Sequence, residues 1–235
     1  MFNKLKEALG LGGARSPAGL NKSAAHSGLA GPASKVSEWA GLQGLAFTQR
    51  ADGRGGYQVD GKIGDKLWRL EQGAPSRDFI KGSELRARAE LGVREDVAVM
   101  IMSRQLKNTL DKRAFELYTD SLQTIADPRL PEEMRWLSIY EEVGWESLGS
   151  PFLNNYAILA DTRDNAMLWI TQAFADSLMA WPNLDPKSPK IMMLLRGKAY
   201  LRMQYTDGDQ ATLEHATTVF TMACEQALSH LDNKA

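Results

Sequence analysis

Three histidines and a single cysteine are the residues best suited to nucleophilic or metal chemistry, and none stands in a spacing that such chemistry needs. His26, His215 and His230 belong to no HExxH pattern, cysteine pair or histidine-rich cluster. The sequence therefore implies no metal site and no cofactor. Cys224 shares a helical stripe with Phe220, Ala227 and Leu231 and is read as a small apolar core residue. His215 lies nine positions earlier, which at ~100° per residue turns it away from the cysteine, and His230 is also off its direction. Both histidines are expected on the surface of that helix.

Gly10-Leu11-Gly12-Gly13, Gly53-Arg54-Gly55-Gly56 and Arg196-Gly197-Lys198-Ala199 all lack the lysine-hydroxyl pair of a phosphate-binding loop. No G-x-S-x-G elbow is present. Paired carboxylates leave no signature in spacing, because folding alone brings them together. Glu132, Glu133, Glu141 and Glu142 are assigned to the solvated face of one helix. An enzyme with an unrecognised carboxylate/arginine site between two halves of the chain is kept as the alternative to a non-enzymatic function.

One charge pattern stands out. In Glu84-Leu85-Arg86-Ala87-Arg88-Ala89-Glu90-Leu91 the charged side chains project from one face of a strand and the apolar ones from the other. Arg69 and Glu71 share a face of a neighbouring predicted strand. Pairing would make a ladder of opposite charges. One reading is a solvated face with cross-strand ion pairs of ~0.2–1 kcal/mol each. The other is a recognition face whose arginines grip a partner's carboxylates or phosphates.

These residues must be positioned by a body of ordinary globular composition, 43% hydrophobic and 24% charged in 235 residues. The charge is uneven. Residues 1–35 hold five basic residues against Glu7 alone, a balance of +4. The other 23 basic and 28 acidic residues leave −5. An acidic body argues against nucleic acid, which requires clustered lysine and arginine. One cysteine forms no intrachain disulfide, and no apolar run matches a signal peptide or a membrane span, so a cytoplasmic location is expected. A cleaved presequence is the other reading of the basic start.

Residues 1–34 read as a flexible basic tail. Gly, Ala, Ser and Pro dominate 12–34, while Phe2, Leu5 and Leu9 fall at helical spacing within 2–10. So short a helix needs a surface to fold on, and an anionic membrane or a protein would serve. An α+β half with a β-meander is expected over 35–126. It opens with a short helix carrying Val36, Trp39 and Ala40. It ends over 103–125 in a segment read as helix from Leu106, Leu110, Ala114 and Leu117, with a strand over Ala114 to Leu122 as the alternative. Val97 to Met102, apolar on both faces, is its predicted central strand.

A second α+β half is expected over 127–235, with strands 155–160, 191–195 and 198–205. One helix between them carries Met167, Ile170, Phe174, Leu178 and Trp181, capped by Asp161 or Asp164. A long last helix turns Leu213, Ala216, Phe220, Ala223, Ala227 and Leu231 inward. The β-α-β-β-α order of this half resembles the small α+β fold of type III secretion chaperones, a likeness of element order and not of motif. It implies a module that holds another protein. The chain is thus read as α+β with largely antiparallel sheet and packed helices in two similar-sized halves. Its expected role is a non-enzymatic adaptor or chaperone-like protein. Phe2, Leu5, Leu9, Arg69, Glu71, Glu84, Arg86 and Arg88 are its candidate partner-binding residues.

Overall fold

A computed structural model describes residues 31–50, 56–120, 132–182, 185 and 187–232. The tail with Phe2, Leu5 and Leu9, residues 51–55 and the boundary near residue 127 lie outside these.

The chain builds an α+β fold on one nine-stranded antiparallel sheet. Helix α1 (Pro32–Leu42) precedes β1 (Ala46–Gln49), β2 (Tyr57–Ile63), β3 (Lys66–Gly73), β4 (Ser83–Glu90) and β5 (Ala98–Ser103). Then come α2 (Arg104–Asp120), α3 (Glu132–Ile139), β6 (Glu141–Val143), α4 (Gly149–Asn155) and β7 (Tyr156–Ala160). The chain closes with α5 (Arg163–Trp169), α6 (Gln172–Met179), β8 (Lys190–Leu195), β9 (Lys198–Tyr205) and α7 (Gln210–His230). The spatial order is β1-β2-β3-β4-β9-β8-β5-β7-β6. Strands from the two predicted halves are therefore neighbours: β9 pairs with β4, and β5 lies between β7 and β8.

Periodicity explains most of the elements. Every residue of β5 is buried, as a strand apolar on both sides and paired on both edges requires. In β9, Ala199, Leu201, Met203 and Tyr205 are buried while Lys198, Tyr200, Arg202 and Gln204 are half-exposed. Asp209 caps α7 by accepting from Thr212 N at 3.1 Å. The predicted inward stripe of α7 is wholly buried, with Cys224 in it. Its alanines bring the helix close to the sheet, and the Trp169 indole donates to Ala223 O at 2.8 Å.

Two departures have local causes. The single helix expected through Met167 and Trp181 is two, because Thr171 starts a new one by accepting from Phe174 N. Met167 is then left exposed. Thr162, and neither Asp161 nor Asp164, caps α5, accepting from Asn165 N at 3.2 Å.

Helices cover the two sheet faces unequally. On one face α1, α5, α6 and α7 bury a continuous core that includes Trp68, Leu70, Leu85, Ile101, Leu201 and Phe220. On the other, α2 and α3 cover only the β5-β7-β8 side, where Met100, Met102, Leu159 and Met193 meet Leu106, Leu110, Met134 and Trp136. The remaining area of that second face, over β2, β3, β4 and β9, carries the charged side chains.

Two glycines are needed for their size or backbone. Arg196 and Gly197, at φ of 51° and 69°, form the tight β8–β9 turn. Gly61 faces its cross-strand partner Trp68, whose indole occupies the space where a Cβ would sit, 2.4 Å from the nearest ring atom. Gly61→Ala is expected to displace Trp68 from the core and to cost about 1–3 kcal/mol, the range for overpacking. A urea titration reading a lower midpoint at unchanged slope checks this, and an unchanged midpoint contradicts it.

Candidate functional site

The register of β2, β3, β4 and β9 determines which charges meet. Asp60, Arg69, Arg88 and Tyr200 form one rung, and Gln58, Glu71, Arg86 and Arg202 the next. The expected ladder of opposite charges is thus only partly realised. Arg69 stands directly opposite Arg88, and Arg86 directly opposite Arg202, so four arginines occupy adjoining positions on three strands. Like charges so placed repel, and nearby carboxylates offset this unevenly.

Asp60 accepts from Arg69 Nε at 2.8 Å and from Gln58 Nε2 at 2.6 Å. The Asp60 hydrogen bond raises the pKa of the half-buried Arg69 guanidinium. Glu71 Oε2 lies 3.5 Å from Arg86 Nη2 and 3.9 Å from Arg50 Nη1, shared between two cations. Arg86 Nε is buried without a hydrogen-bond partner. Arg88 is exposed and forms no ion pair among the described residues. Lys198 donates to Glu90 Oε1 at 2.9 Å at the end of the face, which draws the Glu90 carboxyl below its ordinary range.

Glu84 behaves differently from the other predicted site residues. It shares their face but is fully buried, so no partner can touch it as expected from alternation alone. The loop 74–82 reaches it through Ser76 and is tied to the start of α3 through Arg77. Ser76 N donates to Glu84 Oε2 at 2.6 Å, and Arg202 Nη1 lies 2.9 Å from Glu84 Oε1 as an ion pair without hydrogen-bond alignment. Arg202 Nη1 donates instead to Ser76 Oγ. Burial lowers the Arg202 pKa, against the pull of Glu84.

Beside Ser76, Arg77 donates through Nε to Glu133 Oε1 and through Nη2 to Glu132 Oε2 at 3.2 Å. Burial alone would depress the Arg77 pKa, but its hydrogen bond to Glu133 and the surrounding carboxylates leave it raised. A pocket of about 310 Å³ opens here, with Phe79, Leu110 and Met134 as its apolar wall and Arg113 also lining it.

Of the four glutamates assigned to a solvated helix face, only Glu132 is exposed on a helix. Glu133 is buried, because α3 turns it toward Arg77. Glu141 and Glu142 lie in edge strand β6, where Glu142 accepts from Arg104 and stands 3.1 Å from Lys107. Burial would raise the Glu142 pKa, but the two cations outweigh it and lower it. His215, expected on the surface, is half-buried edge-on to Trp181, with Nε2 2.9 Å from Ser177 O. Burial pushes its pKa down. Among the described residues no group of three or more His, Cys, Asp or Glu is arranged to hold a metal, and no helix is long and apolar enough to cross a membrane.

Sequence reasoning missed Arg202, Tyr200, Ser76 and Arg77. The alternation of Lys198, Tyr200, Arg202 and Gln204 was visible, but the pairing of β9 with β4 was not. Arg202 reaches a loop residue 126 positions away.

The buried and exposed charges differ in what they hold. Glu84→Ala strands the Arg202 guanidinium and the Ser76 amide, and is expected to cost about 3–5 kcal/mol. Arg69→Ala, at a half-buried pair still open to solvent, is expected to cost about 1 kcal/mol, well below the Glu84 loss. Chemical denaturation of the two variants checks the contrast, and equal losses contradict it.

No family model, curated protein or solved structure compared with the chain matches it.

Proposed function

We propose that the chain is a non-enzymatic adaptor or chaperone-like binding protein, working in the cytoplasm, whose open sheet face holds an acidic segment of a partner protein. The observation that carries this reading is the register: Arg69 opposite Arg88 and Arg86 opposite Arg202. A solvated sheet face has no need for arginines in facing positions, where each pair repels. Carboxylates from a partner would relieve that repulsion and pair with Arg88, which is exposed on the face.

Counting both signs supports the choice of an anionic partner. On this face Lys62, Arg69, Arg86, Arg88, Lys198 and Arg202 outnumber Asp60, Glu71, Glu84 and Glu90. The chain as a whole is slightly acidic, so the basic character is local. The basic tail would be repelled from this face, which supports a separate role as a tether to an anionic membrane surface or a second protein.

The alternative, an enzyme with a carboxylate/arginine site, draws on the convergence of Arg77, Glu84, Glu133 and Arg202. Their mutual neutralisation favours a structural role, because Glu84 is sealed from solvent and both of its partners are protein groups.

Fluorescence anisotropy with a labelled peptide rich in aspartate and glutamate tests the reading on the full chain. Saturable binding that weakens with salt is expected, reduced about tenfold or more by Arg86→Ala together with Arg88→Ala. Equal binding of a neutral peptide of the same length, or no effect of the double substitution, contradicts it. Arg88→Ala alone is expected to leave the unfolding midpoint unchanged, which separates lost binding from lost folding.

A further inference from the structure

The pocket between loop 74–82 and the α2–α3 pair has its own chemistry. Its volume of about 310 Å³ is at the lower end of the range that holds a small ligand, roughly 300–1,000 Å³. Phe79, Leu110 and Met134 make one wall apolar. The charged lining is Asp78, Glu132 and Glu133 against Arg77 and Arg113, a balance of −1.

Glu133 shows what is missing. Its side chain is almost entirely buried, and while Oε1 accepts from Arg77, the buried Oε2 has no hydrogen-bond partner. An ionised carboxylate has about four acceptor sites, and leaving a buried one empty is costly. Arg77 does not supply that partner, since its Nη2 bonds Glu132 and its Nη1 bonds Ser76 O. The lining thus lacks a cationic donor at one end, offers alkyl-sized apolar surface in the middle, and carries in Arg113 a guanidinium with no ion pair among the described residues.

We propose that this pocket binds a basic amino-acid side chain, with its ammonium or guanidinium on Glu133 and its aliphatic stem along Phe79, Leu110 and Met134. Arg113 then meets the carbonyl or carboxylate at the other end of the same residue. The chemistry is common to a free basic amino acid and to a lysine or arginine within a peptide. The site is separate from the arginine-bearing sheet face, so it stands or falls independently of the acidic-partner reading.

Amide chemical-shift titration of the full-length protein tests it, with three probes: L-arginine, Nα-acetyl-L-arginine methylamide, and L-citrulline as the neutral isostere. Saturable shifts around residues 77–79, 113 and 132–134 are expected for an arginine probe, with a dissociation constant of about 1 mM for so small a ligand. Citrulline should bind about tenfold more weakly or not at all, as should arginine to Glu133→Gln. Arg113→Ala separates the sources. A loss confined to free L-arginine assigns the site to free amino acids, and tighter binding of the capped probe assigns it to peptides. Absence of saturable shifts with both arginine probes overturns the proposal, as does citrulline binding as tightly as arginine. The citrulline comparison uses the unaltered protein and remains decisive if Glu133→Gln does not fold.

Discussion

Two buried carboxylates govern how the rest of this molecule is arranged. Glu84, in the middle of the sheet, and Glu133, on α3, are both removed from water. A buried ion is tolerated only where hydrogen bonds and opposite charge replace its hydration. Glu84 takes the Ser76 amide and the Arg202 guanidinium, and Glu133 takes Arg77. Since Ser76 and Arg77 are consecutive, one short loop serves both acids and fastens α3 to the β4–β9 side of the sheet. Such pairs are weak contributors to net stability compared with apolar packing, but removing one member is costly. They therefore act as a register device, which specifies where the loop and helix rest.

That placement divides the second sheet face. On one side of the network, α2 and α3 bury methionines and leucines from β5, β7 and β8. On the other, the same sheet continues without a described helix over it, and the exposed positions of β3, β4 and β9 present arginines. The pocket forms at the seam, where apolar residues from α2 and α3 meet the charged loop. A continuous apolar core on the opposite face, backed by α7, gives this asymmetric face a rigid support. Binding surfaces of this kind gain from rigidity, because little side-chain and backbone freedom is lost on association.

Much of the architecture was legible in periodicity. The double-sided burial of β5, the alternation of β2, β4 and β9, and the apolar stripe of α7 each follow from residue spacing. The core placement of Cys224 does too. What spacing does not carry is partnership between distant segments. Glu84 looked like its neighbours Arg86 and Arg88 because alternation assigns a face and not a depth. Its burial depends on a loop and a strand that approach from elsewhere. Glu133 was misplaced for the same reason. The ladder of opposite charges holds only at Asp60–Arg69, Glu71–Arg86 and Glu90–Lys198, because composition does not give register, and the register also sets Arg69 against Arg88 and Arg86 against Arg202.

Amide hydrogen exchange on an Arg77→Gln variant tests most directly whether the buried charges hold the helix to the sheet. If they do, amides of residues 132–139 lose protection by about tenfold or more while those of β4, β9 and α7 keep theirs, a local opening rather than global unfolding. Unchanged protection in α3, or an equal loss throughout the sheet, would contradict the account.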